Sequence, residues 1–258
     1  MIDIHSHILP GIDDGAQDLD EAVKMARDAA SDGIDIVVAT PHIRDGIEAR
    51  DSTKRQEAIS ILNRRLAAEG IPLDILDGAE AFIDLDLPER VRDGSIPTLG
   101  KTGKYVLIEL PFLEIPPYAG EVVFRVLSYG FIPIIAHPER NAQVARDPNE
   151  FYKLARQGAM GQANAGSLTG RFGPEARKTA LRLLANNMVQ VIGSDAHSPE
   201  GRPCRLQEAV RAAAEVVGED LARKMVTTVP ELILAGREIE WEEPRPFELR
   251  RRRFFIFG

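Results

Sequence analysis

The sequence alternates short apolar runs with amphipathic helical segments, and this alternation limits the chain to folds built on a parallel sheet. Seven runs are predicted as strands: 2–6, 34–40, 73–79, 105–110, 131–136, 159–164 and 188–193. The predicted helices are 18–32, 52–69, 118–129, 148–157, 174–187 and 203–217. Gly33, Gly70, Gly130 and Gly158 each follow a predicted element at a point where a left-handed helix cap is common.

Polar residues gather where nearly every predicted strand ends, and this favours a closed or distorted barrel. In such a barrel the carboxyl ends of all strands open on one mouth. An open doubly wound sheet is the alternative, but it normally concentrates its site at one switch point. A length of 258 residues is ordinary for one barrel. We therefore predict a single α/β domain over residues 1–240, followed by a tail of different composition over 241–258.

All five histidines of the chain lie in short motifs at predicted strand ends. The motifs are IDIHSH with His5 and His7, VVATPH with His42, PIIAHPER with His137 and VIGSDAH with His197. Because side chains alternate along a strand, an H-x-H pair places both rings on one face, where they can bind one ion. A structural role is a reasonable interpretation of one such histidine but not of all five. The sequence therefore predicts a polynuclear metal site.

Carboxylates accompany these histidines. Asp195 precedes a histidine by two residues, Glu80 follows the third predicted strand, and Glu109 lies near the end of the fourth. A carboxylate can bridge two cations and offset their charge. Two alternatives stay open, because Glu109 could pair with an arginine, and Asp13 and Asp14 in PGIDDG could cap a helix.

Other properties of the chain argue against several classes of protein. The net charge of −8 is the opposite of the basic footprint of a general nucleic-acid binder. No stretch is long and apolar enough to cross a bilayer, and the first predicted strand begins at Ile2, so we expect a cytoplasmic protein without a cleaved leader. The single cysteine, Cys204, lacks the arginine six positions later that a cysteine phosphatase needs, since that residue is Val210.

Taken in order, the motifs HSHILPGIDDG, ATPHIRDG, GAE, AHPER and GSDAH resemble the polymerase-and-histidinol-phosphatase (PHP) superfamily. Within it they are similar to the bacterial capsule-locus protein tyrosine phosphatases of the CpsB/YwqE type, from Met1 to about Leu234. The resemblance implies a distorted (β/α)7 TIM-like barrel with two to three divalent ions, usually Mn²⁺, although Fe and Zn suit the same ligands. It also implies hydrolysis of phosphotyrosine on a cognate bacterial tyrosine kinase that controls exopolysaccharide assembly.

The resemblance also implies roles for individual residues. The expected metal ligands are His5, His7, Asp14, His42, Glu80, Glu109, His137, Asp195 and His197. Glu80 is the expected bridge between two ions. Arg140 of HPER is the expected phosphate-binding residue, and Arg202 and Arg44 are weaker matches for the same role.

Phosphate monoesters hydrolyse very slowly unaided, so such a site must supply a nucleophile and stabilise charge. Neighbouring divalent ions lower the pKa of a bridging water, and the resulting hydroxide attacks the phosphorus in line. The planar guanidinium of Arg140 fits two phosphoryl oxygens. Tyrosinate, with a reference pKa of about 10, leaves readily. Asp14 or Glu109 is a candidate proton donor if it is not a ligand.

Two other functions would use the same residues differently. A phosphatase of a small metabolite, such as histidinol phosphate or a nucleotide, keeps the metal site and changes the substrate. A metal-stabilised binding module for a kinase or a polysaccharide assembly complex is non-catalytic, but retention of every expected ligand argues against it. Carboxylates at positions 14 and 109, where many superfamily members have histidine, favour the tyrosine phosphatase branch. Metal identity, natural substrate and oligomeric state, a homo-oligomer included, stay open.

The tail has its own pattern, in which Arg250–Arg253 is flanked by Phe247 on one side and by phenylalanines at positions 254, 255 and 257 on the other. One interpretation is a solvated, disordered segment. The other is a segment that docks on a neighbouring subunit, a partner kinase or an anionic membrane surface.

Overall fold

The computed structural model describes residues 1–43 and 52–248. The strands within these residues are β1 (Ile2–Ser6), β2 (Ile36–Ala39), β3 (His42–Ile43), β4 (Asp74–Asp77), β5 (Glu80–Phe82), β6 (Tyr105–Glu109), β7 (Ile132–Ala136), β8 (Met160–Asn164) and β9 (Val191–Gly193). The helices are α1 (Leu19–Ser31), α2 (Ser52–Ala68), α3 (Leu87–Arg92), α4 (Ala119–Ser128), α5 (Ala142–Arg146), α6 (Asn149–Ala155), α7 (Ala165–Leu168), α8 (Pro174–Ala185), α9 (Gln207–Val217), α10 (Glu219–Lys224) and α11 (Thr228–Leu234).

The strands form a ring of parallel pairs. One row runs β1-β2-β4 and the other β3-β5-β6-β7-β8-β9. After short breaks β2 continues as β3 and β4 continues as β5, and the two continuations pair with each other as β2 and β4 do. The named strands therefore occupy seven positions around the ring. A parallel bridge between Ser6 and Ala196 joins the end of β1 to the segment after β9 and closes it. The predicted distorted (β/α)7 barrel is confirmed.

All seven predicted strands are present. Most of them are shorter than expected by one to three residues at one end or at both ends. The sequence missed the short continuations β3 and β5 and the helices α3, α5, α7, α10 and α11, because elements this short carry little periodicity. The predicted start of the sixth helix at 203 is wrong, since α9 begins at Gln207. The Asp32 carboxylate accepts hydrogen bonds from the backbone of Leu206 and Gln207 and holds the preceding residues in a loop.

The amino-terminal end of the barrel is closed by hydrophobic packing. Strand residues such as Ile4 and Leu107 share a buried cluster with Val229 and Ile233 of α11. The Tyr105 hydroxyl, at the start of β6, donates to a backbone oxygen just after α11, 2.6 Å away. Because this end is plugged, only the carboxyl ends of the strands can open on a functional mouth.

The described part of the tail, residues 241–248, packs on the surface of the barrel. Phe247 exchanges two hydrogen bonds with the Asn149 side chain, and the Arg182 guanidinium lies 4.9 Å from its ring centroid. Arg250–Arg253 and the phenylalanines that follow lie outside the described residues. The domain boundary at residue 240 stays a prediction. Among the described helices, none has the length and apolarity to cross a membrane.

Candidate metal centre

The five histidines meet at the carboxyl ends of the strands, as the sequence predicted. The His7 ring lies 3.9 Å from that of His197 and 4.5 Å from that of His42, measured between centroids. The His5 ring lies 5.4 Å from that of His7 and 5.6 Å from that of His137. All except His197 are buried, so the cluster forms the floor of the mouth.

Glu80 lies at the centre of these rings. Its Oε2 is 3.4 Å from His5 Nε2 and 3.3 Å from His7 Nε2. The same oxygen is 2.9 Å from His42 Nδ1, and the other carboxylate oxygen is 3.0 Å from His137 Nε2. One buried carboxylate thus faces four imidazoles, and its role as a bridge between two ions stays a prediction.

Three further carboxylates surround this group. The Asp195 Oδ1 atom is 3.4 Å from His7 Nε2. The Asp14 Oδ1 atom is 3.6 Å from His42 Nε2, and Glu109 Oε2 is 3.5 Å from His42 Nδ1. Glu109 therefore faces an imidazole rather than only the arginine that the alternative interpretation required.

The nitrogen and oxygen atoms converge in four overlapping groups, each with its atoms within 4.8 Å of one another. The groups are His7, Asp14, His42 and His197; His5, His7 and Glu80; His5, His137 and Asp195; and His42, Glu80 and Glu109. Together they contain all nine residues that the resemblance implied as ligands. Imidazole and carboxylate donors in this mixture suit Mn, Fe and Zn.

The orientation of the rings fits cations. His5 Nδ1 lies 2.8 Å from Gln162 Oε1, and His7 Nδ1 lies 2.6 Å from Asp13 Oδ2. Because both partners are acceptors, the proton of each neutral ring is on Nδ1 and the Nε2 lone pair is left for a metal. These two Nε2 atoms are 3.3 Å apart. Two lone pairs that face one another in a buried site are stabilised by a shared positive charge.

The electrostatics agree with this fit. Burial opposes ionisation of His5 and His7, but the surrounding carboxylates outweigh it and raise the pKa of both rings. Burial likewise opposes ionisation of Glu80, yet the nearby histidines hold its pKa well below the ordinary value. The His42 Nδ1 and Glu80 Oε2 atoms lie 2.9 Å apart, and neither has a further hydrogen-bond partner within the described part of the chain. The cluster is therefore organised around positive charge.

Asp13 holds His7 in place, which the sequence did not reveal. Its carboxylate accepts hydrogen bonds from the backbone of Gly15 and His42, each 3.0 Å long, in addition to its contact with His7. Burial raises the pKa of Asp13, but the His7 interaction outweighs this and lowers it to about 2. The helix-cap alternative for the PGIDDG loop is wrong, because Asp18 caps α1.

Two arginines stand at the rim of the mouth. Arg140 Nη1 donates to Asp195 Oδ2 at 3.1 Å, and Arg202 pairs with the same oxygen. The Arg140 guanidinium lies between two aromatic rings, 4.9 Å from the Phe112 centroid and 4.4 Å from the Phe172 centroid. The Arg202 guanidinium lies 5.6 Å from the Phe172 centroid. Arg202, the weaker match by sequence, is placed as well as Arg140.

The segment GQANAGSLTGRFG, at positions 161–173, lines the site through β8 and α7. Asn164 Nδ2 donates to Asp195 Oδ2 at 2.6 Å, and the Asn164 backbone donates to the buried Glu139. Neither residue was singled out by sequence reasoning. The one available signal was that Glu139 lies inside HPER and that Asn164 ends a strand.

Two other candidates lie elsewhere. Arg44 is outside the described residues. The Cys204 thiol is buried and donates to Asp3 Oδ2 at 3.2 Å, and burial raises its pKa well above the usual range. A thiol held protonated in this way is a poor nucleophile.

Comparison with known proteins indicates the same family as the sequence motifs. A family model described as capsular polysaccharide synthesis, CpsB/CapC, matches residues 1–235. Tyrosine-protein phosphatase YwqE of Bacillus subtilis (strain 168) is 38% identical over 257 residues, which cover 100% of both chains. Tyrosine-protein phosphatase CpsB of Streptococcus pneumoniae is 29% identical over 246 residues, covering 93% of this chain and 100% of that protein.

A solved structure resembles the whole barrel. It is described as YwqE from Bacillus subtilis and CpsB from Streptococcus pneumoniae, unique metal-dependent tyrosine phosphatases. The TM-score is 0.92 at 38% identity, and the match covers 96% of this chain and 100% of the other.

Proposed function

The chain belongs to the CpsB/CapC family of capsular polysaccharide synthesis, and from this premise we propose that it is a metal-dependent protein tyrosine phosphatase. The family that the motifs predicted is thereby confirmed. The observation that carries the proposal is the convergence of five histidines and four carboxylates beside two arginines. The named phosphatase activity of the relatives supports it.

The cluster is proposed to hold two to three divalent ions, with Mn²⁺ as the preferred metal. Four overlapping groups of ligand atoms support more than one ion, and Glu80, which belongs to two of them, suits a bridging role. When bound, such ions activate water for attack and neutralise charge on the phosphoryl group. The chain's own contribution is to fix the ligands through Asp13 and Gln162.

Arg140 and Arg202 are proposed to bind the phosphoryl oxygens of the substrate. Both guanidiniums are already held at the rim by Asp195 Oδ2, so little side-chain entropy is lost when a phosphoryl group enters beside them. A planar guanidinium can donate two parallel hydrogen bonds to a phosphoryl group. Two such groups stabilise the charge that spreads over these oxygens during transfer.

Asp14 is proposed to act at the leaving oxygen rather than Glu109. The Asp14 side chain is 60% exposed at the mouth, whereas Glu109 is buried against His42. A tyrosyl group leaves through the mouth, so only Asp14 is on its path. Asp14 can supply a proton there only when it is not a metal ligand, and because tyrosinate has a reference pKa of about 10, departure does not depend on that proton.

The proposed substrate is the phosphotyrosine of a bacterial tyrosine kinase in capsule or exopolysaccharide synthesis, which agrees with the description of the family. The test is a comparison of kcat/KM on metal-reconstituted protein. The substrates are a phosphotyrosyl peptide, the same peptide with phosphoserine, histidinol phosphate and a nucleotide, each with Mn, Fe and Zn. We expect the phosphotyrosyl peptide to be preferred. A preference for histidinol phosphate or the nucleotide would establish a metabolite phosphatase, and no hydrolysis with any metal would establish a binding module.

A further inference from the structure

Two adjacent apolar side chains are exposed directly after the strand that carries Glu109. Phe112 is 48% exposed and Leu113 is 74% exposed. The other exposed large hydrophobic residues of the described chain are Ile61, Leu85, Phe124 and Val216, and no two of them are neighbours in sequence. Scattered single residues of this kind are ordinary, but an adjacent pair at a functional mouth indicates a binding surface.

The backbone that carries this pair is fixed to the segment after Arg140. The Ala142 amide donates to the Phe112 carbonyl at 2.7 Å, and the Asn141 side chain donates to the Pro111 carbonyl at 2.7 Å. The apolar pair and Arg140 are therefore held at a constant separation. A surface that is already formed binds a rigid ring at a small entropic cost.

The Phe112 ring lies beside the metal ligands. It stacks on the His137 ring with centroids 6.0 Å apart and an interplanar angle of 16°, and its face is 4.9 Å from the Arg140 guanidinium carbon. A phosphoryl group held by the ligand cluster and Arg140 must project its ester group past this rim. On this side the rim is formed by Phe112, and the exposed Leu113 follows it directly in the chain.

We propose that Phe112 and Leu113 form an aryl shelf, which receives the aromatic ring of the phosphotyrosyl side chain and selects aryl over alkyl phosphates. The proposal deepens the proposed function and rests on it. A tyrosyl ring extends from its phosphate as a flat apolar body and buries area on the shelf, and aromatic pairs add a stacking contribution. The single methylene of phosphoserine is too short to do so.

The test compares an aryl and a non-aryl substrate in the same metal-loaded variants. Phosphotyrosyl peptide is the aryl substrate, and acetyl phosphate is a reactive phosphate without a ring. Leu113→Ala should lower kcat/KM for the peptide by roughly three- to tenfold, in line with the apolar area lost. The value for acetyl phosphate should stay within about twofold of wild type, because the metal ligands and arginines are untouched. Phe124→Ala, an equally exposed truncation on α4, is the control and should change neither value.

Inhibition provides a second measurement that does not depend on leaving-group chemistry. The Ki of phenylphosphonate should rise in Leu113→Ala, whereas the Ki of inorganic phosphate should not. Phe112→Leu also removes a contact to Arg140, so both Ki values should rise in that variant. Leu113→Ala could lower kcat/KM for the peptide without changing the Ki of phenylphosphonate. In that case Leu113 contacts flanking residues of the peptide, and the aryl-shelf proposal is wrong. Equal losses for both substrates also overturn it. These outcomes can be distinguished from failure of the proposed function. If that function is wrong, the wild-type protein does not hydrolyse the phosphotyrosyl peptide at all.

Discussion

At the residue scale, Asp195 joins the two halves of the site. Its Oδ1 faces the ligand cluster, 3.5 Å from His5 Nε2. Its Oδ2 accepts from Arg140, Arg202 and Asn164. The residue has a positive φ of 52°, which is rare outside glycine and is typical of strain held at functional sites. One carboxylate thus fixes the position of the arginines relative to the metal ligands.

The first prediction concerns Arg140. Arg140→Ala should lower kcat/KM by roughly 10²–10³ while metal content and Tm stay normal, because a preorganised charge-stabilising group is lost. Arg140→Lys should recover little, since an ammonium cannot reproduce two parallel hydrogen bonds. Turnover, elemental analysis and thermal melting on one preparation measure this, with Arg211→Ala on α9 as control. Normal turnover of Arg140→Ala would leave Arg202 as the phosphate-binding residue.

The second prediction concerns Asp13, which holds the proton of His7 on Nδ1. Asp13→Asn should weaken metal binding by roughly 10- to 100-fold, the usual cost of losing a residue that orients a histidine ligand. Calorimetric titration of metal into the stripped protein measures it. Asp18→Asn, in the same loop but at the cap of α1, is the control, and it should leave metal affinity unchanged. Equal affinities of Asp13→Asn and wild type would contradict the orienting role.

The third prediction concerns Cys204, whose buried thiol contacts Asp3 and none of the candidate ligands named here. Cys204→Ser should keep kcat/KM within about threefold of wild type, because the proposed mechanism takes the attacking oxygen from water. The measurement is turnover per folded molecule. A folded Cys204→Ser protein without activity would restore a cysteine mechanism.

At the element scale, the breaks in two strands place ligands in register. After the break that follows β2, His42 opens β3, and after the break that follows β4, Glu80 opens β5. His42 and Glu80 are paired neighbours in the sheet, and their side chains converge. Val38 and Leu76, four residues before His42 and Glu80, lie in or against the buried cluster inside the barrel, so both continuations keep the inward face of the strands that they extend.

The connection after β8 is the second element that shapes the site, and the fourth prediction belongs to it. A Cβ on Gly166 of α7 would lie 2.6 Å from the Phe172 ring, so glycine lets this ring pack close to the backbone. The guanidiniums of Arg140 and Arg202 lie 4.4 and 5.6 Å from the centroid of this ring. Phe172→Ala should lower kcat/KM by roughly five- to thirtyfold, the effect of losing two cation–π contacts.

Phe172 acts through the arginines, so its substitution should raise KM for phosphate esters more than it lowers kcat. Phe172→Tyr, which keeps the ring, should restore most of the activity, and steady-state kinetics on the three proteins measure this. If Phe172→Tyr is as impaired as Phe172→Ala, stacking on the arginines is not the cause.

At the scale of the whole molecule, the candidate ligands come from the first to the last strand of the ring. His5 lies in β1, and Asp195 and His197 follow β9, beside the bridge that closes the barrel. Cations held by these residues would join the two ends of the sheet. Metal binding and barrel stability are therefore linked.

The fifth prediction follows from this link. Chelation should abolish hydrolysis and lower Tm, since ligand binding adds about 4 kcal/mol when free metal exceeds its Kd a thousandfold. Differential scanning calorimetry with and without chelator, followed by repletion with Mn, measures both effects. His5→Ala should show a smaller shift of Tm on chelation than wild type. An unchanged Tm in stripped wild-type protein, or less than one ion per chain after reconstitution, would contradict a polynuclear site.

The sequence by itself determined the order of strands and helices and the residues that gather at the mouth. Alternation and helical periodicity are local properties of the backbone, so they can be recognised without knowing the fold. His5, His42 and His137 could be singled out because each stands where an apolar run ends or breaks. Their family roles came from the order of the motifs.

Only the tertiary structure decided which atoms share a position. Gln162 lies 157 residues from His5 in sequence yet contacts its ring, and Arg202 pairs with Asp195 and also contacts the ring of Phe172. Such pairs depend on strand register, on the breaks after β2 and β4, and on how the ring closes. No local pattern encodes a distance across the barrel, because that distance is set jointly by all seven strand positions.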